Sequence, residues 1–255
     1  MKNYFKYCRK SYCLWGIFVC AFVLCLSLWA PVPALAAKVA VETGARLLPT
    51  MAYLVGTYDG QGRPDACIID RAGIAETSSG KMVFYVGVRP SRQTAKNVET
   101  SGAFTVNVPS AAILAQADWC GNVSAASGDQ YVDKFAVTGL KLEKSSEVNA
   151  PVLTDCPVVF ECKLAGTRDF PDGQHRVFFG EIVSYRVESS ALEGGKDKPV
   201  SQYDPIAANA PVYFAGSAER SGYYALSELK GKRRGVWQQK FPWPNGLEPQ
   251  PKKRH

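Results

Sequence analysis

Histidine is scarce in this chain of 255 residues, which contains only His175 and the C-terminal His255. There is no Cys-x-x-Cys pair and no histidine-rich cluster, so no metal site is predicted. The sequence also lacks Gly-x-Gly-x-x-Gly, a Walker phosphate loop and Gly-x-Ser-x-Gly. These absences argue against a Rossmann dinucleotide-binding domain, a P-loop enzyme and an ordinary α/β-hydrolase.

The N-terminus has the layout of an export signal. Four basic residues within the first ten are followed by an uncharged apolar run over residues 14–29 and then by Ala34-Leu35-Ala36. This order is typical of a cleavable secretory signal over residues 1–36, with the mature chain beginning at Ala37. We therefore expect an exported, periplasmic bacterial protein. The alternative is an uncleaved membrane anchor, because the apolar run is nearly long enough to span a bilayer.

The net charge of +7 belongs to the ends of the chain. The first 36 residues carry four positive charges and no acid, and residues 230–255 carry eight positive charges against one acid. The region between them therefore has a net charge of −4. This distribution gives no support to a nucleic-acid-binding face on the folded domain.

Four cysteines remain after the signal: Cys67, Cys120, Cys156 and Cys162. An exported chain can form disulfides, so their redox state is left open. Cys156 and Cys162 are interpreted as lying in one strand. A separation of six residues then places them roughly 20 Å apart, which is too far for a disulfide between them.

The secondary-structure pattern is mainly β. Strands are predicted over residues 52–58, 66–69, 81–88, 103–108, 158–164 and 176–183, with a hairpin turn at Asp59-Gly60 and Gly62. Short helices are predicted over residues 91–100 and 110–119, the second capped by Ser110. Short strands with few helices favour an antiparallel barrel or sandwich over a parallel βαβ sheet.

Several segments, in order from Pro49 to Val187, resemble the flavoredoxin group of the flavin reductase-like family. They include Gly-Arg-Pro-Asp65-Ala66 after the first hairpin, Arg89-Pro-Ser-Arg-Gln-Thr-Ala-Lys-Asn97, residues 101–110, 133–135, 150–151 and 160–162, and Gly-Glu-Ile-Val183. The resemblance implies a six-stranded antiparallel split β-barrel with short flanking helices over residues 37–229. It also implies a homodimer with one FMN per subunit near the dimer interface. Residues 230–255 would then form a basic tail containing proline and tryptophan.

The resemblance also implies which residues bind FMN. The phosphate side would be the turn and helix that carry Arg89, Ser91, Arg92, Gln93, Thr94 and Asn97, together with Lys134. A helix that starts near Ser91 offers free N–H groups to an anion. The flavin ring would lie along Asp65, Ala66, Cys67, Ile68, Ile69, Asp70, Arg71 and Ala72. The structural alternatives are a capped helix with solvated arginines, a surface lysine and an ordinary core strand.

His175 is the candidate catalytic residue, because it precedes the Gly180-Glu181 strand where related reductases place a histidine near the ring. Asp65 departs from the family pattern, which commonly has Asn there, and Trp-Gly-Gly is missing near Arg71. An anionic Asp65 or Asp70 near the ring would lower the reduction potential, whereas Arg71 would raise it. Replacements for the missing tryptophan are expected among Tyr53, Tyr213, Tyr223 and Tyr224.

The resemblance thus predicts an exported flavoprotein that transfers electrons through noncovalent FMN, taking them from NAD(P)H or from a redox protein. Two alternatives stay open. One is a non-enzymatic FMN electron carrier reduced by a protein partner. The other is a flavin-free dimeric split-barrel binding domain. The signal or the basic tail would also bring the protein close to a membrane.

Overall fold

The computed structural model of the chain describes residues 50–127, 130–171 and 173–189, the single residues Lys38 and Ala40, and the backbone of three strands within residues 206–233. The predicted signal (1–36) lies outside the described residues, as does the chain after residue 233. The described secondary structure belongs to one compact unit, Arg46–His255. Within the described ranges, no helix has the length and apolar character needed to cross a bilayer.

The described part of the chain is mainly β. Its strands are β1 (Thr50–Met51), β2 (Tyr53–Tyr58), β3 (Pro64–Ile69), β4 (Ala72–Glu76), β5 (Met82–Val88), β6 (Ala103–Val108), β7 (Ala126–Ser127), β8 (Gln130–Tyr131), β9 (Leu142–Lys144), β10 (Pro151–Leu153), β11 (Val158–Asp169), β12 (Arg176–Val187), β13 (Ile206–Asn209), β14 (Val212–Ala218) and β15 (Tyr224–Arg233). Its helices are α1 (Gln93–Ser101), α2 (Leu114–Asn122) and α3 (Lys134–Thr138), and a 3-10 turn over Ala111–Ile113 precedes α2.

The main sheet is antiparallel and has the strand order β3-β2-β6-β11-β12-β5-β4. Its two edge strands, β3 and β4, are consecutive in the chain and only Asp70 and Arg71 separate them. The first and last strands of the pairing order are thus joined in the chain, so the sheet is curled and its two edges meet at this point. Counting β3 and β4 as one interrupted strand gives the six strands that the sequence predicts.

Both faces of the sheet are covered by packed side chains at β2. The neighbouring residues Leu54 and Val55 are both fully buried, and they belong to different core clusters. Leu54 packs with Trp119 and Phe135 from the helical side, whereas Val55 packs with residues that fill the inside of the curled sheet. Because both faces are apolar, this strand has a continuous hydrophobic sequence rather than an alternating one.

A glycine is required inside the curled sheet at Gly180 of β12. A Cβ atom there would lie 2.5 Å from Cζ of Phe104 and 2.7 Å from Cβ of Cys162. Normal contacts between carbon atoms are about 3.5–4.0 Å. The close approach of β12 to the Phe104 ring therefore depends on the missing side chain.

The predicted first hairpin is confirmed. Asp59 accepts hydrogen bonds from the backbone N–H groups of Gln61 (2.9 Å) and Arg63 (2.8 Å), and Gly62 has a positive φ of 76°. These are local interactions of the kind that Asx turns and glycine provide.

Several boundaries differ from the prediction. Helix α1 begins at Gln93, because the preceding residues form a turn in which the Arg92 N–H bonds to the Arg89 carbonyl. Ser110 starts a 3-10 turn and makes no side-chain cap hydrogen bond; the α-helix begins only at Leu114. Cys156 lies in a turn before β11 rather than in a strand with Cys162. Strand β15 runs to residue 233, past the predicted start of the tail at residue 230.

Candidate functional site

The interruption between β3 and β4 creates an opening in the sheet at Asp70 and Arg71. The Arg71 carbonyl accepts a hydrogen bond from the Gly87 N–H at 2.7 Å, and the Asp70 carbonyl accepts one from the Thr50 hydroxyl at 3.0 Å. These bonds satisfy the carbonyls of both residues at the interruption and fix the backbone where the sheet is broken.

A cleft of about 220 Å³ lies at this interruption. It is bordered by β3, the end of β5, the turn before α1, the end of α2 and the tip of the β11–β12 hairpin. The lining residues are Cys67, Ile68, Ile69, Asp70, Arg71, Gly87, Val88, Arg89, Arg92, Gly121, Asn122 and His175. Eight of these, all except Gly87, Val88, Gly121 and Asn122, are predicted from the sequence.

The charge of the cleft is positive. Three arginines line it against one carboxylate, Asp70. Arg71 forms an ion pair with Asp70 at 3.4 Å, while Arg89 and Arg92 are exposed at the turn that leads into α1. Arg92 occupies the N-cap position of α1 and makes no side-chain cap hydrogen bond. The cationic side chains and the start of a helix together favour an anionic ligand at this end of the cleft.

Ser91 lies at the mouth of a neighbouring open groove rather than in the cleft. Arg89 borders both cavities, and Pro90, Gly173 and Gln174 complete the groove. Ser91 is exposed. The structure therefore places this hydroxyl next to the cleft entrance, beside the two arginines.

Asp65 and Lys134 lie behind the cleft wall, fully buried and paired with each other. Their charged groups are 2.7 Å apart, and each side chain is 2 % exposed. The Lys134 ammonium also donates to the carbonyls of Ala66 at 2.7 Å and Cys120 at 2.9 Å. Neither Asp65, Ala66 nor Lys134 lines the cleft. The expected contribution of Lys134 to a phosphate site therefore has no direct geometry, because its ammonium is enclosed by these three acceptors.

Three predicted polar residues of α1 face the protein interior. The Thr94 hydroxyl donates to Asp65 at 3.1 Å, and the Asn97 amide donates to the Thr57 hydroxyl at 3.0 Å. Gln93 donates to Asn97 at 2.7 Å. Gln93 and Asn97 line a separate cavity of about 50 Å³. None of the three lines the cleft, so they support the helix that carries Arg92.

Ala72 and Tyr53 pack against the core inside the curled sheet. The Tyr53 ring meets the Phe84 ring edge-on at 5.1 Å, and burial together with the charge of Tyr85 raises the pKa of Tyr53 to about 12. Neither residue lines the cleft. The side chains of the other tyrosines considered as ring-stacking partners, Tyr213, Tyr223 and Tyr224, lie outside the described residues.

His175 lies at the tip of the hairpin between β11 and β12 and lines the cleft. Its ring meets the Phe170 ring at 6.1 Å in an edge-on arrangement, and its carbonyl accepts the Phe170 N–H at 2.9 Å. At the base of the same tip, Arg176 pairs with Asp169 and Glu99. The hairpin is thereby tied to α1, which holds His175 at the rim.

The four cysteines among the described residues, Cys67, Cys120, Cys156 and Cys162, are free thiols. Cys67 lines the cleft and is half-buried, whereas the other three are buried. Burial raises the pKa of Cys67, and it raises that of Cys120 to about 12. These thiols are therefore protonated at neutral pH and suit packing better than nucleophilic chemistry. The described residues include no group of His, Cys, Asp and Glu that is able to hold a metal ion.

The cleft wall formed by Gly121 and Asn122 was not predicted. A Cβ atom at Gly121 would lie 2.2 Å from Cγ2 of Ile68, so α2 approaches β3 closely only because this residue is glycine. Glycine costs about 1 kcal/mol in a helix relative to alanine. A glycine inside an otherwise helical segment is the signal that could have indicated this close packing.

Comparison with known proteins agrees with the observed fold. Residues 45–218 match the flavin reductase like domain family. The structure of flavoredoxin from Desulfovibrio vulgaris (Miyazaki F) is 30% identical in sequence, with a TM-score of 0.58 over 74% of this chain and 93% of that one. Flavoredoxin from Methanosarcina acetivorans is 25% identical, with a TM-score of 0.61 over 77% of this chain and 97% of that one.

The fold is also shared with an FMN-binding protein from Thermus thermophilus, at 19% identity and a TM-score of 0.56 over 72% of this chain and 95% of that one. The predicted fold, a mainly β antiparallel split barrel with short flanking helices, is confirmed. Since the family match covers more than half of its length, this chain belongs to the flavin reductase like domain family.

Proposed function

We propose that this protein binds FMN noncovalently in the cleft between β3 and β4 and transfers electrons through it. The observation that carries the proposal is the coincidence of three features in a flavin reductase-like chain: an interrupted strand, a cleft with three arginines, and the start of α1 at its end. This combination suits a ligand with a flat polar ring and a terminal phosphate.

The residues present fit such a ligand. Arg89 and Arg92 would hold the phosphate, since guanidinium groups bind phosphate oxygens through paired hydrogen bonds. The backbone from Cys67 to Asp70, at the end of β3, would lie along the ring. Gly87 allows β5 to lie close to Arg71, because a Cβ atom on residue 87 would lie 3.2 Å from Cβ of Arg71. This close packing of Gly87 and Arg71 forms part of the cleft wall.

When bound, the flavin supplies the hydride and electron chemistry. The chain would bind the flavin, orient it and tune its reduction potential. Asp70 pairs with Arg71 and Asp65 pairs with Lys134, so the two carboxylates considered from the sequence are both offset by cations. His175 at the rim is suited to orient a reductant or to donate a hydrogen bond to the ring.

We also propose that the protein is exported and is reduced by a protein partner. The support is the signal-like sequence of residues 1–36 together with the scarcity of NAD(P)H outside the cytoplasm. On this reading the molecule is an FMN electron carrier rather than a nicotinamide-dependent reductase. Anaerobic reduction by NADH distinguishes a carrier from a nicotinamide-dependent reductase.

A homodimer is proposed from the surface of the sheet. Large apolar side chains are exposed on three adjacent strands: Ile74 on β4, Met82 on β5, and Val183 and Tyr185 on β12, each 43–51% exposed. A concentration of exposed apolar side chains indicates an interaction surface. A second copy would cover it.

The test is to purify the full chain in mild detergent, add FMN or riboflavin and record the visible spectrum. We expect FMN to bind more tightly than riboflavin. The double variant Arg89→Ala/Arg92→Ala should lose at least about tenfold in FMN affinity, because hydrogen bonds to charged groups contribute about 1.5–3 kcal/mol, while riboflavin binding changes little. Arg168→Ala, an exposed arginine on β11, is the matched control.

Anaerobic reduction then separates enzyme from carrier. Bleaching by NADH at catalytic rates would support a reductase, and bleaching by dithionite alone would support a carrier. A protein that shows no flavin bands after reconstitution would refute the proposal and favour a flavin-free binding domain.

A further inference from the structure

Lys134 is a buried lysine whose contacts join separate parts of the cleft. Its ammonium is within 2.7–2.9 Å of the Asp65 carboxylate and the carbonyls of Ala66 and Cys120. The ammonium donates hydrogen bonds to the two carbonyls and forms an ion pair with the carboxylate. These contacts are all within the protein, and Lys134 does not line the cleft.

The two carbonyls belong to two different elements that border the cleft, β3 and the end of α2. Ala66 directly precedes Cys67 and Ile68 on β3, and Cys120 directly precedes Gly121 in the last turn of α2. The last carbonyls of a helix have no partner within it, and the outer side of an edge strand has none within its sheet. One ammonium therefore satisfies both groups and links β3 to the end of α2.

Asp65 extends the same linkage to the third part of the cleft. Its second carboxylate oxygen accepts the Thr94 hydroxyl at 3.1 Å. Thr94 is the second residue of α1 and follows Arg92 by two positions. The Asp65 side chain thus connects β3 with the helix whose start carries the cleft arginine.

We propose that the Asp65–Lys134 pair is the positioning unit of the flavin cleft. It sets the spacing between β3, the end of α2 and the arginine-bearing start of α1, without touching the flavin. This inference rests on the proposed binding of FMN. It assigns to Asp65 and Lys134 a role that acts through Ala66, Cys120 and Thr94.

The pair also balances charge behind the flavin. Burial by itself would lower the pKa of Lys134, but the Asp65 carboxylate together with Cys67 and Cys120 outweighs it and the pKa is raised, so the lysine is charged at neutral pH. Removing one partner leaves the other as an unpaired buried charge. Asp65→Asn would leave a cation and Lys134→Met an anion. A cation stabilises the anionic reduced flavin and an anion destabilises it, so the two variants should shift the potential in opposite directions.

The experiment uses the full chain loaded with FMN and compares wild type, Asp65→Asn, Lys134→Met and the double variant. Lys81→Met is the control, because it removes an ion pair with Glu181 that lies 2.8 Å apart on the surface. FMN affinity is measured by titration of flavin fluorescence and the midpoint potential by equilibration with redox dyes.

We expect both single variants to bind FMN on the order of tenfold more weakly, since small displacements of positioned groups have effects of this size or larger. Asp65→Asn should raise the potential, Lys134→Met should lower it, and the double variant should return towards wild type. Lys81→Met should change neither quantity.

Wild-type affinity and potential in both single variants would overturn this inference while leaving the proposed function intact. Wild-type protein that takes up no flavin would overturn the proposed function as well. If the buried variants fail to fold, Thr94→Val provides the test, because it removes only the hydroxyl donor to Asp65. A folded Thr94→Val protein with unchanged FMN affinity would contradict the linkage to α1.

Discussion

The contact between Gly121 and Ile68 allows a prediction in which two opposing effects can be compared. In Gly121→Ala, the new Cβ would lie 2.2 Å from Cγ2 of Ile68 and 3.3 Å from its Cβ. A normal carbon–carbon contact is about 3.5–4.0 Å, so helix and strand must separate by more than about 1 Å. Ile68 has a β-branched side chain and is therefore stiff at χ1, so it has little freedom to rotate away.

The substitution also has a favourable effect, because alanine is preferred over glycine in a helix by about 1 kcal/mol. Overpacking in a well-packed core costs about 1–3 kcal/mol, and the extreme overlap here points to the upper end. We expect a net loss of about 1–2 kcal/mol in the free energy of unfolding. For a domain of this size, this corresponds to a decrease in Tm of roughly 2–8 °C.

Thermal and urea unfolding of wild type, Gly121→Ala, Ile68→Ala and the double variant would measure this effect. Ile68→Ala alone is expected to cost about 2–5 kcal/mol through the cavity that it leaves. In the double variant the new methyl group occupies part of that cavity. The stability lost by the double variant should therefore be smaller than the sum of the losses in the two single variants, by about 1 kcal/mol or more.

Gly166→Ala on β11 is the matched control, since a Cβ atom there meets nothing within 4 Å. It should leave stability unchanged or raise it slightly. A Gly121→Ala protein as stable as wild type, with additive losses in the double variant, would refute the packing argument. FMN affinity should fall in Gly121→Ala as well, because the displaced residues form one wall of the cleft.

Three further predictions concern other parts of the protein. Burial raises the pKa of Tyr53 from 10.0 to about 12, so the free energy of unfolding should fall by up to about 2–3 kcal/mol as the pH rises from about 10 to 12. Urea unfolding of Tyr53→Phe should show a smaller loss of stability over this pH range. A Tyr53→Phe protein with the wild-type pH profile would contradict this prediction. Asp133 accepts the N–H groups of Phe135 and Ala136 at the start of α3, so Asp133→Ala should cost about 1 kcal/mol and Asp133→Asn much less; equal losses would argue against capping. Val183→Asp should shift the proposed dimer towards monomer in analytical ultracentrifugation, and an unchanged sedimentation coefficient would exclude this part of β12 from the interface.

The sequence predicts the elements whose structure depends on neighbouring residues. The first hairpin follows from Asp59 and Gly62, and β6 follows from a short β-rich run that matches the structure over Ala103–Val108. Strand β11 is different, because the predicted strand ends at residue 164 but the structure continues it to Asp169. That extension has no apolar pattern. It is held by pairing with β12 across the hairpin and by the Asp169–Arg176 ion pair, which the residue pattern within the strand itself does not reveal.

The same limit applies to the buried pair behind the cleft. Lys134 and the Ala66 carbonyl are 68 residues apart in sequence, and no local pattern brings them together. The sequence shows Asp65 as a departure from the usual asparagine. In the structure the departure has a physical reason, because a carboxylate at this position balances the charge of a lysine that is 2% exposed. An asparagine here would leave that cation unpaired.

Helix α1 shows how more of the site could have been predicted. Its buried residues are Thr94, Ala95, Asn97 and Val98, which recur at the spacing of one helical face. Polar residues on such a face must find partners inside the protein, because a buried polar group without a hydrogen bond is costly. Thr94 and Asn97 have such partners in Asp65 and Thr57. Arg92, at the helix start and outside this face, lines the cleft. Helical periodicity therefore separates the cleft-lining Arg92 from the core-facing residues within a motif that family resemblance alone treats as one binding segment.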